Sequence, residues 1–149
     1  MSAVSEIMSK GVVTIELKQD ATALDVVSAM LRGRAGAVVV IVTSSSEGRP
    51  AGIITERDVL KKVAAKNIKP DQVRAEEIMS SPLVTVKAYD SVDTAAGLMS
   101  ENRIKRLPVI EDDGSLAGMI SVTDITKKLA KILSDDQSRY RSFNAVLDL

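Results

Sequence analysis

The sequence of 149 residues has no net charge, because 20 lysine and arginine residues balance 20 aspartate and glutamate residues. This balance argues against nucleic acid or an anionic membrane as a partner, since both attract strongly basic surfaces. The chain contains no cysteine and no histidine. Disulfides, thiolate nucleophiles, Ser-His-Asp triads and metal sites with Cys or His ligands are therefore excluded, and we expect no metal site.

The N-terminus lacks the features of a secretory signal peptide. It reads MSAVSE, with neither a basic stretch nor an apolar stretch. The longest apolar run, residues 37–42, is far too short to cross a bilayer. We therefore expect a cytoplasmic protein that does not bind membranes.

The first half of the chain predicts the order β-α-β-β-α after a short helix at residues 5–8. Apolar residues recur at helical spacing over residues 21–32, and the continuous β-branched run at 37–42 is typical of a strand buried on both faces. In chain order, the predicted elements are strand 12–17, helix 21–32, strand 37–42, strand 51–55 and helix 56–66.

The second half repeats the first. The segment Glu6-Ile7-Met8-Ser9 recurs 71 positions later as Glu77-Ile78-Met79-Ser80, and the offset shrinks to 66 at Gly52 and Gly118 because one loop is shorter. The repeated elements are strand 83–86, helix 91–102, strand 107–110, strand 116–120 and helix 122–133.

We therefore predict an α+β (α/β-like) fold made of two tandem β-α-β-β-α repeats related by a pseudo-twofold axis. Three short strands and two helices leave one sheet face of each repeat uncovered, so we expect the two sheets to pack face to face. The predicted division is a first repeat at 1–66, a linker at 67–76, a second repeat at 77–133 and a C-terminal tail at 134–149. In the tail, the spacing of Tyr140, Phe143 and Leu147 predicts an amphipathic helix.

Each repeat contains one copy of the motif Gly-h-h-[Ser/Thr]-x-x-Asp, where h is apolar, at the end of a strand and the start of a helix. One interpretation is a capping box, with Thr55 or Ser121 as the cap and Asp58 or Asp124 at the third helical position. The other interpretation is a ligand site, because a carboxylate there can accept hydrogen bonds from a vicinal diol. The two roles are compatible, so the motif alone does not separate them.

These motifs, in this order and in both halves, resemble those of a pair of CBS domains, the regulatory module named after cystathionine β-synthase. The resemblance covers about residues 1–133. The residues that carry it are 7–8, 13–15, 36–40 and 52–58 in the first half, and 78–86, 106–110 and 118–124 in the second.

The resemblance implies a non-enzymatic sensor that binds AMP, ADP or ATP in clefts between the repeats and signals to a separate partner protein, with no obligatory cofactor. S-adenosylmethionine or NAD are less frequent ligands of the family. Carried over from the family, the ribose-binding residues are Thr55, Asp58, Ser121 and Asp124. The adenine slots would be lined around Thr14, Val38, Thr85, Leu107 and Pro108.

The family often places phosphate-binding cations just before the position of Pro108. Here the candidates are Arg103, Lys105 and Arg106, with Arg57 as a further one. The first repeat has Gly36 and Ala37 where the second has Lys105 and Arg106, so we expect it to supply fewer phosphate ligands. The alternative for this basic stretch is a solvated helix end, where cations are favourable in any case.

Two other functions stay open from the residues: a structural dimerisation module whose clefts are empty and, least favoured, an enzyme. Both as a ligand sensor and as a structural module, we expect the chain to form a homodimer. Two of its helices carry apolar stripes that are wider than one small sheet face needs, and uncovered apolar surface of this kind marks contacts. The stripes comprise Leu24, Val26, Val27, Met30 and Leu31 in the first repeat, and Ile125, Leu129, Ile132 and Leu133 in the second. The tail is expected to dock on the module or to cross to the second chain.

Overall fold

The computed structural model describes residues 2–43, 48–136 and 146. Each repeat forms a three-stranded sheet with helices, so the predicted α+β class and the tandem repeat are confirmed. The elements of the first half are α1 (Val4–Ile7), β1 (Thr14–Glu16), α2 (Ala23–Gly33), β2 (Ala37–Val42), β3 (Arg49–Thr55) and α3 (Glu56–Val59). Those of the second half are α4 (Ala75–Ile78), β4 (Val86–Lys87), α5 (Val92–Asn102), β5 (Arg106–Ile110), β6 (Leu116–Ser121) and α6 (Val122–Asp136).

The two sheets have the same topology. Their strand orders are β1-β2-β3 and β4-β5-β6. Strand β1 runs parallel to β2, with Thr14 opposite Val39, and β2 runs antiparallel to β3, with Ala37 opposite Thr55. Strand β4 is likewise parallel to β5, with Val86 opposite Val109. In the first sheet this register brings the start of β2 beside the end of β3, where the capping motif begins.

Contacts divide the chain into two compact units that do not follow the two repeats along the sequence. The first-repeat unit consists of Gly11–Val84 and Asp112–Leu116. The second-repeat unit consists of Met1–Lys10, Thr85–Glu111 and Ala117–Leu149. Each unit therefore includes the short helix that lies at the start of the other repeat in the sequence, α1 in the second-repeat unit and α4 in the first-repeat unit.

Equivalent backbone bridges hold these exchanged segments. Ser9 pairs with Met119 in the second-repeat unit, through Ser9 N to Met119 O at 2.8 Å and Met119 N to Ser9 O at 2.9 Å. In the first-repeat unit, Ser80 N donates to Ile53 O at 2.9 Å. The repeated Ile-Met-Ser sequence thus adds a short pairing to the edge of each sheet.

The core of the first-repeat unit lies between its sheet and helices α2 and α4. Val38, Val40 and Ile54 are fully buried against Val26 and Ile78. In the second-repeat unit, the buried apolar side chains are Val4, Val86, Ala95, Met99, Leu107, Val109, Ile120 and Ala130. Burial on both faces of β2 fits its uninterrupted β-branched sequence.

Four of the predicted elements differ clearly from the structure. Strand β4 is limited to Val86–Lys87, whereas residues 83–86 were expected, and β1 is shorter than 12–17. The predicted helix 56–66 is α-helical only to Val59 and continues as a π turn at Leu60–Ala64, closed by Ala65 N donating to Leu60 O at 2.8 Å. Helix α6 continues to Asp136, beyond the predicted limit at 133.

The two repeats bury different positions of the helical segment that follows the capping motif. In the first repeat the buried side chain is Val63, which lies in the π turn and is 2% exposed. In α6, which has no such turn, the buried residue is Ala130. Ala130 lies 67 positions after Val63, whereas the two capping motifs lie 66 positions apart, so the buried residues do not occupy equivalent positions.

No helix in the described ranges is both long and apolar enough to span a membrane. The predicted helix of the tail, with Tyr140, Phe143 and Leu147, lies outside the described residues.

Candidate functional site

In the first-repeat unit, the carboxylate of Asp58 lies at the junction of β3 and α3. Thr55 is the cap residue: its Oγ1 accepts a hydrogen bond from Asp58 N at 3.3 Å, and Thr55 N donates to Asp58 Oδ2 at 2.9 Å. The Thr55 hydroxyl also donates to Asp58 Oδ2 at 3.2 Å. This reciprocal pair is a capping box, which satisfies backbone donors that the first helical turn leaves unpaired.

The second-repeat unit has the same junction between β6 and α6. Ser121 N donates to Asp124 Oδ2 at 2.9 Å, and Ser121 Oγ accepts from Asp124 N at 3.1 Å. Both side chains are partly exposed, so the carboxylate is accessible to solvent. The capping interpretation of the motif is therefore confirmed in both repeats.

A further capping box, which the sequence analysis did not single out, begins helix α2. Thr22 caps this helix and Thr22 N donates to Asp25 Oδ2 at 2.9 Å. This box has the same spacing as the two motifs but is not preceded by a glycine and a strand. Capping geometry alone therefore does not define a ligand site, and Asp25 provides an internal control for the function of Asp58 and Asp124.

The candidate adenine-slot residues lie on the strands beside these junctions. Thr14 is exposed at the start of β1, and Thr85 is half-buried immediately before β4. Val38 and Leu107 are fully buried and Pro108 is below 2% exposed. Their side chains belong to the core, so only their backbone is available to line a slot.

The basic stretch of the second repeat lies beside its capping motif. Val122 N donates to Lys105 O at 3.0 Å, which joins the chain before β5 to the start of α6. Lys105 is exposed and Arg106 is half-buried at the first position of β5. Arg103 ends helix α5 with a positive φ of 54°.

The equivalent stretch of the first repeat carries fewer cations. Glu56 N donates to Gly36 O at 3.1 Å, so glycine occupies the place of Lys105. Arg34 matches Arg103, also with a positive φ, at 50°. Arg57 is exposed on α3. The expected difference in cations between the two repeats is therefore present in the structure of each unit.

The model of the CBS domain family matches residues 4–65 and 75–131. The chain belongs to the CBS-domain family. An uncharacterized protein of Methanopyrus kandleri is 32% identical to it over 145 residues, which cover 97% of this chain and 71% of that protein. The chain spans between 26% and 60% of the lengths of three further curated relatives.

Solved structures of CBS proteins have the same fold. The CBS domain protein of Pyrobaculum aerophilum complexed with AMP has a TM-score of 0.74 and 28% identity, covering 83% of this chain and 89% of that one. The CBS domain pair of protein MJ0100, in complex with 5-methylthioadenosine and S-adenosyl-L-methionine, has a TM-score of 0.76 and 24% identity, with 88% and 98% covered. At that lower identity the likeness shows the fold alone.

Apolar side chains are exposed on the helices of this CBS pair. Leu24 and Leu31 of α2 are 47% and 74% exposed, as the predicted stripe requires, whereas Val26 and Met30 of the same stripe are buried in the core. These two side chains face the sheet, and the exposed members are the part of the stripe that the sheet does not cover. Leu60, which the apolar spacing over residues 56–66 predicts to face inward with Val59 and Val63, is instead 63% exposed, so that prediction is wrong.

An open groove of about 570 Å³ lies between α2 and the start of α3, lined in part by Val27, Leu31, Val59 and Leu60. In the second-repeat unit, Leu129 and Ile132 are 56% and 52% exposed. Leu133 is 37% exposed, and Ile125 is half-buried. Each unit therefore has its own exposed apolar surface.

Proposed function

We propose that this CBS pair is a cytoplasmic, non-enzymatic sensor that binds an adenosine ligand (AMP, ADP or ATP) and regulates a separate partner protein. The observation that carries the proposal is the Asp124 carboxylate. It is partly exposed at the end of a sheet, holds its helix cap through one oxygen, and lies in the same unit as a basic stretch. A carboxylate with an uncommitted oxygen suits a ribose diol, and nearby cations suit phosphate.

The roles are those that the family resemblance implies, and they fit the kind of group that each position offers. Asp58 and Asp124 accept hydrogen bonds from the ribose hydroxyls, with Thr55 and Ser121 beside them. The backbone around Thr14, Val38, Thr85, Leu107 and Pro108 lines the adenine slots. Arg57, Arg103, Lys105 and Arg106 are the phosphate ligands.

The AMP complex of the Pyrobaculum aerophilum protein supports a nucleotide, and the ligands of protein MJ0100 share the adenosine part without a phosphate. Titration calorimetry with adenosine, AMP, ADP, ATP, S-adenosylmethionine and NAD tests the proposal. We expect at least one of them to bind with micromolar affinity or better. Heat changes no larger than dilution for all six would overturn it.

Removing the cations of the second repeat separates phosphate from adenosine binding. We expect Lys105→Ala combined with Arg106→Ala to weaken AMP and ATP binding several-fold while changing adenosine binding little, because only the phosphate is attracted to them. The salt dependence of ATP binding should also become flatter. Titrations of both ligands at low and high salt measure this, and equal losses for adenosine and AMP would contradict it.

We propose further that the chain forms a homodimer through its exposed helices. Leu31 and Leu60 leave a larger apolar surface on the first-repeat unit than single scattered residues do, and surfaces of this kind mark contacts between proteins. The same surface favours, as a second candidate function, an interaction module that binds no nucleotide. The ligand titration above distinguishes the two.

Leu31→Glu should shift the dimer towards monomer at micromolar concentration, because the new carboxylate would lose its hydration at the contact. Light scattering measures the mass. Gln19→Glu is the matched control, since it adds the same charge at an exposed position of the loop after β1 and should leave the dimer intact. A monomer mass for the unaltered protein, or a full dimer with Leu31→Glu, would contradict the proposal.

A further inference from the structure

The two repeated carboxylates are not equally available for a ligand. Asp58 accepts two hydrogen bonds on Oδ2, from the backbone N and the hydroxyl of Thr55, at 2.9 and 3.2 Å. Its other oxygen, Oδ1, lies 3.2 Å from Lys62 Nζ. The Asp58 side chain is 14% exposed, so this ion pair is largely shielded from water on the carboxylate side.

Lys62 is held in place by a second contact. Its Nζ donates to Ile78 O at 2.9 Å, at the end of helix α4 in the same unit. Lys62 lies in the π turn Leu60–Ala64, which helix α6 of the other repeat does not contain. The ammonium group therefore bridges Asp58 and the backbone of a second element.

Asp124 has no such neighbour among the residues that the structure describes. Its Oδ2 accepts one hydrogen bond, from Ser121 N, and within those residues no donor pairs with Oδ1. Lys128 stands four positions after Asp124, as Lys62 stands four after Asp58, but it is exposed and forms no ion pair with Asp124.

The number of acceptor positions already occupied on each carboxylate predicts how well it can bind a ligand. An ionised carboxylate offers about four positions for donors. Asp58 uses three of them, on Thr55 N, Thr55 Oγ1 and Lys62 Nζ, whereas Asp124 uses one, on Ser121 N. A vicinal diol donates two hydrogen bonds, so it fits at Asp124 without displacing a donor but must displace one at Asp58.

We propose that Lys62 is a specificity-determining residue that makes the two repeat sites unequal. The diol of the ligand binds first at Asp124, and it binds at Asp58 with full strength only when Lys62 leaves the carboxylate. This inference rests on the proposed function, because it concerns which of two adenosine sites fills first.

Single-site proteins test the order of the two sites. Asp58→Asn leaves only the Asp124 site, and Asp124→Asn leaves only the Asp58 site. Titrated with adenosine, the Asp124→Asn protein should bind about tenfold or more weakly than the Asp58→Asn protein, which corresponds to one charged hydrogen bond. Equal affinities, or tighter binding in the Asp124→Asn protein, would overturn the inference.

Removing the ammonium group then tests Lys62 itself. Adding Lys62→Met to the Asp124→Asn protein should tighten adenosine binding about threefold to tenfold, because one acceptor position becomes free. The matched control is Lys128→Met in the Asp58→Asn protein, which should change nothing. Unchanged or weaker binding after Lys62→Met would overturn the inference.

A comparison with a ligand that lacks the diol separates this role from a structural one. Lys62→Met also removes the hydrogen bond to Ile78 O, so a loss of folding stability would lower the affinity for every ligand alike. The expected gain is therefore specific: it should be present for adenosine and absent for 2′,3′-dideoxyadenosine, which has no diol. An equal gain for both ligands would overturn the role assigned to Lys62. If no adenosine compound binds the unaltered protein, the proposed function fails together with this inference; binding with equal sites removes the inference alone.

Discussion

Asp58→Ala combined with Asp124→Ala should remove the ribose-dependent part of ligand binding. A hydrogen bond to a charged acceptor contributes about 1.5–3 kcal/mol, so losing the carboxylate at Asp124 alone should weaken binding about tenfold to a hundredfold. Calorimetry with AMP measures the affinity of both single variants and of the double variant. We expect the larger loss from Asp124→Ala, since Asp58 is already paired with Lys62.

The control for this prediction is Asp25→Ala. Asp25 closes the same kind of capping box at α2 as Asp58 does at α3. Its removal should therefore lower the stability of the fold by a similar amount. It belongs to none of the candidate ligand positions, and AMP affinity should be unchanged. Affinity that survives in the double variant would contradict the assignment of ribose binding to these carboxylates. Affinity that falls equally with Asp25→Ala would show that helix capping, rather than ligand contact, is responsible.

The sequence was sufficient to predict the elements whose pattern is local. Strand β2 begins and ends at the predicted residues 37 and 42, because an uninterrupted β-branched run is unambiguous for a doubly buried strand. The start of α3 follows from the Thr55 cap, and the start of α6 from the Ser121 cap. Both halves show these signals, and the duplication makes each half evidence for the other.

Other features depend on contacts between distant residues and were not predictable. The sequence places the segment containing Met8 and Ser9 at the start of the first repeat, but nothing local indicates that it pairs with Met119. Lys62 lies four residues after Asp58, a spacing that is typical of ordinary ion pairs on a helix, and the sequence does not indicate its added contact with Ile78 O. The π turn at Leu60–Ala64, which helix α6 does not contain, has no clear sequence signal.

The exchanged N-terminal segment leads to a prediction on stability at Gly118. A Cβ atom added there would lie 2.6 Å from Ser9 O and 2.9 Å from Met8 Sδ. Ser9 O also accepts from Met119 N at 2.9 Å, so the backbone cannot move away without weakening the bridge that holds the segment to β6. We expect Gly118→Ala to lower the free energy of unfolding by about 1–3 kcal/mol, the usual cost of overpacking a fixed contact. Thermal unfolding followed by circular dichroism measures it.

Gly52 is the matched control, because it occupies the equivalent position of the first repeat. A Cβ there would lie 2.7 Å from Met79 Sδ and 2.9 Å from Met79 Cγ, which move when the side chain rotates, and 3.2 Å from Met79 Cβ, which must give by a few tenths of an ångström. Replacing glycine with alanine also restricts the unfolded chain, which stabilises the fold by about 0.4–1 kcal/mol where the backbone tolerates it. Gly52→Ala should therefore lower the free energy of unfolding less than Gly118→Ala does, because the close neighbours at Gly52 are side-chain atoms rather than a hydrogen-bonded backbone oxygen. Equal effects at the two positions would mean that Ser9 yields as easily as a methionine side chain, and the N-terminal segment would then not be fixed to the sheet by the bridge to Met119.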